Sequence, residues 1–215
     1  SSIDYAGRYA YRNQPGIAHW NLARLAETLV PLIAEDEARA VELARAAIET
    51  FPATFSEAHA QGLAAKLGLT AIDGDDATLV EELFDVMAQN RLDFTLTFRY
   101  LSGLPAADAE SEALADLYTA PADLDGWVER WAARLADEPG QPREHKEAMR
   151  RRNPLFIPRN HLVQRAITAA EDGNYDPFNR YVGRFTDPFA FSADDLELAR
   201  PATPDETVRQ TFCGT

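Results

Sequence analysis

The sequence predicts a mostly α-helical globular chain, and three observations carry that prediction. Apolar residues recur at three- and four-residue spacings along its length, as one face of a helix requires. Stretches with the strict alternation of a half-buried strand are few and short. Asn, Asp, Pro and Gly stand where the apolar stripes begin and end, which are the positions helix termini favour. With 215 residues, 46% hydrophobic and 26% charged, the chain can bury a core as one large domain or two small ones. The reading adopted is a single helical unit over 1–215, with the acidic, small-residue stretch 106–112 as the internal linker candidate.

Leu22, Leu25, Leu29 and Ile33 form the first stripe, preceded by Asn13 as a cap and Pro15 in the first turn. Val41, Ala44, Ile48 and Phe51 form the second, closed by Pro52. A third run ends near Leu67-Gly68, where glycine takes the left-handed conformation of a helix C-terminus. Leu79, Leu83 and Val86 follow Asp75 and Asp76, whose carboxylates suit an N-cap and the positive end of the helix dipole. Phe94, Phe98 and Leu101 run to Gly103. Leu124, Val128, Trp131 and Leu135 give the clearest stripe and stop at Pro139-Gly140. Shorter helices are expected over 143–151, 161–171 and 177–184, with an irregular, proline-punctuated tail from Phe185. No repeat of solenoid period is evident.

The formal charge of −14 argues against nucleic acid and anionic lipid as partners, since affinity for either comes from Lys and Arg neutralising phosphate. No run of eighteen apolar residues occurs, and residues 1–12 are polar, charged and aromatic, so neither a membrane span nor a leader peptide is read; a cytoplasmic setting is expected. Ser1 stands where a start methionine would, directly before an aromatic, Arg-containing run, so an upstream portion is expected. The single cysteine, Cys213, excludes an internal disulfide and a cysteine-based zinc cluster, and is the one redox candidate.

Catalytic signatures are missing: no phosphate loop, dinucleotide fingerprint, His-Glu-x-x-His or nucleophile elbow. His19, His59, His145 and His161 show no metal-ligand spacing. Asp73-Gly74-Asp75-Asp76 fails as a calcium loop because its twelfth position is Phe84. Asp93-Phe94-Thr95 lacks the glycine of a kinase metal-binding triplet and sits on a helical stripe. Thus no catalytic, cofactor-binding or metal residue is assigned. Two segments are richer in chemistry. Gly7-Arg8-Tyr9-Ala10-Tyr11-Arg12-Asn13-Gln14-Pro15 packs aromatic and hydrogen-bonding groups before a helix. In Met149–His161 two prolines force an extended stretch between a cationic helix end and a new helix start. Over 143–165 there are seven Lys and Arg against two Glu, a local +5. Arg8, Arg152, Arg159, Asn160 and His161 are the candidates for contact with an anion or an acidic partner; the competing reading is that the arginines pair with the chain's own acids and fix helix packing.

Ser1-Ser2-Ile3-Asp4, Gly7-Arg8-Tyr9-Ala10-Tyr11, Asn13-Gln14-Pro15 and Trp20-Asn21-Leu22-Ala23-Arg24-Leu25-Ala26 resemble, in that order, the selenoprotein O family. So do Arg152-Asn153-Pro154-Leu155-Phe156-Ile157-Pro158-Arg159-Asn160-His161 and the ending Gln210-Thr211-Phe212-Cys213-Gly214-Thr215. The resemblance covers essentially the whole chain and corresponds to roughly the C-terminal half of the family's length. It implies the helical C-lobe portion of a protein-kinase-like fold plus a family-specific C-terminal extension. It also implies a parent that uses ATP and magnesium, binds ATP in a flipped orientation, and transfers AMP to Ser, Thr or Tyr hydroxyls of protein substrates. In such a site metal held by Asp and Asn neutralises the polyphosphate, and positioned cations stabilise charge at the attacked phosphorus. The family's residues for those tasks lie upstream of Ser1, so the fragment alone is expected to be inactive and to bind no cofactor. Its nearest partner would be the N-terminal half of the same chain. Some relatives carry selenocysteine or cysteine near the C-terminus with a proposed redox role, which Cys213 matches loosely. The alternative is a freestanding helical interaction module using the basic 143–165 patch.

Overall fold

A computed structural model describes Asp4 and residues 6–208. Of the described residues 68% are helical, in ten α-helices and four short 3-10 turns, with no strand. That is about twice the roughly one-third of residues found in α-helices in globular proteins, and it matches the predicted class. Cys213 lies outside the described residues. The contacts group into two compact units, one built from residues up to Ala60 and one from Gln61 to Val208.

In the first unit, α1 (Gln14–Ile33) and α2 (Glu37–Glu49) pack as a pair. Pro15 sits in the first turn of α1 as expected, but Asn13 makes no side-chain cap; its Nδ2 donates to the Gly7 carbonyl at 2.8 Å. Asp36 caps α2, accepting from Arg39 N–H at 2.7 Å. Pro52 does not close α2, which ends at Glu49; it occupies the first turn of α3 (Phe51–Leu67), where its missing N–H leaves no bond unmade. His19 stacks on Phe51 with ring centroids 5.6 Å apart. The stripe Leu22, Leu25, Leu29 and Ile33 is helical but not buried. Its residues are 37–53% exposed, while His19, Ala23, Ala26 and Val30 on the adjoining side of the helix are half-buried.

The second unit begins inside α3. Gly68 takes φ +77° just past its end, and Leu69 N–H returns to the Ala64 carbonyl at 2.9 Å, a glycine-terminated helix as predicted. A Cβ at Gly68 would stand 3.0 Å from Met149 Sδ, so glycine serves packing as well as conformation. There follow α4 (Asp76–Gln89), α5 (Phe94–Gly103), α6 (Ala109–Leu114), α7 (Asp125–Ala136), α8 (Pro142–Arg150), α9 (Asn160–Glu171) and α10 (Asp176–Phe185). One apolar cluster joins Leu63, Leu67, Leu83, Phe98, Trp131 and Met149. Its two tryptophans stack at 5.9 Å, and each indole N–H finds a carbonyl: Trp127 to Leu79 at 2.7 Å, Trp131 to Leu67 at 2.9 Å. A second cluster gathers Leu96, Leu114, Leu155, Phe156, Leu162 and Tyr181, and a 3-10 turn over Ala193–Ala199 adds Leu198 and Ala199.

Two local readings are corrected. Asp75 stands at the N-cap of α4 without a side-chain cap bond. Asp76 is buried instead, accepting from Asp73 N–H at 3.1 Å and from Arg134 Nε at 2.9 Å. Segment 106–112, the linker candidate, contains the start of α6: Asp108 accepts from Ser111 N–H at 3.1 Å, and Glu110 is buried. Its small acidic residues serve a capped helix and an ion pair.

Candidate functional site

The stretch following α8 is extended because Asn153 precedes Pro154, and Leu155 and Phe156 N–H both donate to the Pro188 carbonyl, at 2.9 and 3.1 Å. This pins the segment across the unit and makes Asn153 a buried latch. Its Nδ2 donates to the Lys66 carbonyl at 2.8 Å and to Ser102 Oγ at 2.9 Å, and its Oδ1 accepts from Lys66 Nζ at 3.1 Å. The Lys66 ammonium also lies 5.1 Å from the centre of the Phe98 ring, and burial lowers its pKa below the ordinary lysine value.

Beside the latch, Arg99 is 1% exposed, and its guanidinium is fully used. Nε and Nη2 donate to the two Glu110 oxygens at 2.5 and 3.0 Å, Nη1 to the Arg150 and Asn153 carbonyls, and Nη2 also to the Phe189 carbonyl at 2.9 Å. Asp108 receives Arg150 through Nη1 at 2.6 Å and Nη2 at 2.9 Å, and Lys146 at 3.0 Å. The Arg150 hydrogen bond outweighs burial, and with the Lys146 ammonium it holds the Asp108 carboxyl far below the usual carboxylate range. Neither Arg99 nor Glu110 is singled out by the sequence; the available signal was a charged residue inside the apolar stripe of α5.

Of the five candidate contact residues, Arg8 belongs to the first unit and the other four to the second. Arg8 is exposed and, with Arg12, Asn13 and Trp20, lines a cleft at the start of α1. Arg152 is exposed, and its carbonyl accepts from Lys66 Nζ at 3.4 Å. Arg159 is buried in a two-pronged pair with Asp93, Nη1 at 2.7 Å and Nη2 at 3.1 Å. Burial raises the Asp93 carboxyl, but the Arg159 hydrogen bond and Leu96 N–H outweigh it, so the net pKa is below the ordinary value. Asn160 is exposed at the first position of α9. His161 is 5% exposed, its Nε2 has no hydrogen-bond partner, and burial, opposed by Glu206 and reinforced by Arg200, lowers its pKa. In the basic patch Arg143 also pairs internally, with Glu147 at 3.0 Å.

The arrangement clamps segments together: Arg99, Asn153 and Arg159 each join residues more than fifty positions apart. Five carboxylates of the second unit are engaged by cations: Asp76 and Glu138 by Arg134, Asp93 by Arg159, Asp108 by Arg150, Glu110 by Arg99. Among the described residues no group of three or more His, Cys, Asp or Glu could hold a metal ion, and no helix is long and apolar enough to cross a membrane.

Comparison with known proteins places these features in a family context. The family model for protein adenylyltransferase SelO matches residues 1–186. A protein nucleotidyltransferase YdiU of Bradyrhizobium diazoefficiens is 50% identical over 220 residues, covering all of this chain and 44% of the relative. The protein of the same name from Bradyrhizobium sp. (strain ORS 278) is 47% identical, with 100% and 44% coverage, and that of Nitrobacter winogradskyi 44% identical, with 100% and 43%. The chain therefore spans less than half the length of the curated relatives it matches.

Proposed function

Because the chain belongs to the protein adenylyltransferase SelO family, we propose that it is the C-terminal helical part of an enzyme that transfers AMP from ATP to Ser, Thr or Tyr hydroxyls of other proteins, and that alone it is inactive. The carrying observation is the coverage: the whole chain aligns, yet more than half of each relative lies outside the alignment. Placing magnesium and nucleotide outside this chain is supported by its carboxylates Asp76, Asp93, Asp108 and Glu110, which already bind Arg or Lys of the chain itself. No step of the transfer is assigned to a residue of this chain. In this reading ATP and magnesium are bound by the N-terminal half, which is also this chain's nearest partner; protein substrates dock on the assembled enzyme, and its setting is cytoplasmic. The kinase-like C-lobe is the fold expected once the halves are joined.

What the second unit contributes is rigidity. Arg99, Asn153 and Arg159 tie residues far apart in sequence into one framework, from which a cleft wall can be held in place. The reading of a freestanding module acting through the basic patch finds less support, since Arg143, Lys146, Arg150 and Arg159 pair with acids of the chain itself. Incorporation of label from α-labelled ATP into protein, compared between residues 1–215 and the full-length protein, tests the proposal.

A further inference from the structure

The helix α1 carries two apolar sides and the described structure occupies one. His19, Ala23, Ala26 and Val30 are half-buried on one side, where His19 stacks on Phe51 of α3. Leu22, Leu25, Leu29, Leu32 and Ile33 recur at helical spacing on the adjoining side and are 39%, 53%, 40%, 81% and 37% exposed. Across the described residues up to Ala60 only Ala40 and Ala44 are buried hydrophobics. Two alanines remove too little apolar surface from water to offset the ordering of a helix pair, so this unit draws its stability from contacts beyond itself.

Resting on the family reading above, we infer that the leucine side of α1 is the docking surface for the N-terminal half of the same polypeptide, the portion of the relatives that this chain does not cover. The length is available: the match takes up 44% of each of the first relatives. The chemistry favours a protein occupant. The one cation of α1, Arg24, pairs with Glu27 at 2.5 Å, so the helix lacks the row of free Lys and Arg that draws an amphipathic helix onto anionic lipid. A contiguous aliphatic row at three- and four-residue spacing is what a second helix or an apolar core packs against.

The test places a photo-crosslinker in the full-length protein as Leu25→p-benzoylphenylalanine and, separately, Leu32→p-benzoylphenylalanine, with crosslinked peptides identified by mass spectrometry. The expected result is an intramolecular crosslink from either position to sequence upstream of residue 1. Crosslinks to residues 61–208, or between two molecules, overturn the inference in favour of the second unit or of a second copy. Hydroxyl-radical footprinting of the unmodified full-length protein covers the case in which the unnatural side chain perturbs folding. Labelling of the α1 leucines in the full-length protein as low as that of the buried Leu67 and Leu83 supports the inference, and labelling at the level of an exposed leucine refutes it. Both readouts report packing and not AMP transfer, so a protein whose leucines are covered but which transfers no AMP would leave this surface standing while removing the proposed activity.

Discussion

Arg159 closes a two-pronged ion pair on Asp93, 66 residues earlier, while Asp93 Oδ1 also caps α5 by accepting from Leu96 N–H at 2.9 Å. One carboxylate thus ends a loop, starts a helix and anchors the extended stretch that leads into α9. Arg159→Ala removes the cation and leaves Asp93 three-quarters buried without it. It should lower unfolding free energy by about 1–3 kcal/mol, measured by urea denaturation. Arg159→Lys should recover only part, because an ammonium cannot reproduce the fork.

The Arg99–Glu110 pair is the most buried ion pair among the described residues, with side chains 1% and 4% exposed. Glu110→Ala strands a guanidinium in the interior and should cost about 3–5 kcal/mol. Glu110→Gln, which retains one acceptor, should cost less. Equal melting temperatures for Glu110→Ala and the unsubstituted chain would show that the guanidinium is satisfied by its three carbonyls alone.

His161 predicts an acid-side instability. Its pKa in the folded chain lies below the ordinary 6.5, so the unfolded chain binds the extra proton first. The contribution is complete above about pH 6.5 and is lost as pH falls through the folded value. His161→Leu should flatten the fall in melting temperature between roughly pH 7.5 and pH 5.5. An unchanged slope would place the linkage on another group.

Helix placement was legible because periodicity and termini are local: Gly68, Gly103 and the stripe of Leu124, Trp131 and Leu135 lie where spacing put them. The match to the family was legible in long runs such as Arg152–His161. Partners were not. That Arg99 meets Glu110, or Asn153 meets Ser102, depends on helix packing between residues far apart in sequence, and periodicity is silent on it. The outward direction of Leu22, Leu25 and Leu29 was hidden for another reason: an apolar stripe states that a face needs covering, not whether the covering lies in the same chain.

The assignment of the chemistry to the N-terminal half meets its most direct test in AMP transfer. Full-length protein and residues 1–215 are incubated with magnesium and α-labelled ATP, with thermal shift recorded on the same samples. For a Kd of about 10 mM, mass action gives well under ~0.5 kcal/mol of stabilisation at ~1 mM ligand, near the limit of detection. The account predicts no shift and no labelling for residues 1–215, and both for the full-length protein. Tight, magnesium-dependent ATP binding by residues 1–215 alone, or a full-length protein that neither binds ATP nor transfers AMP, would contradict it.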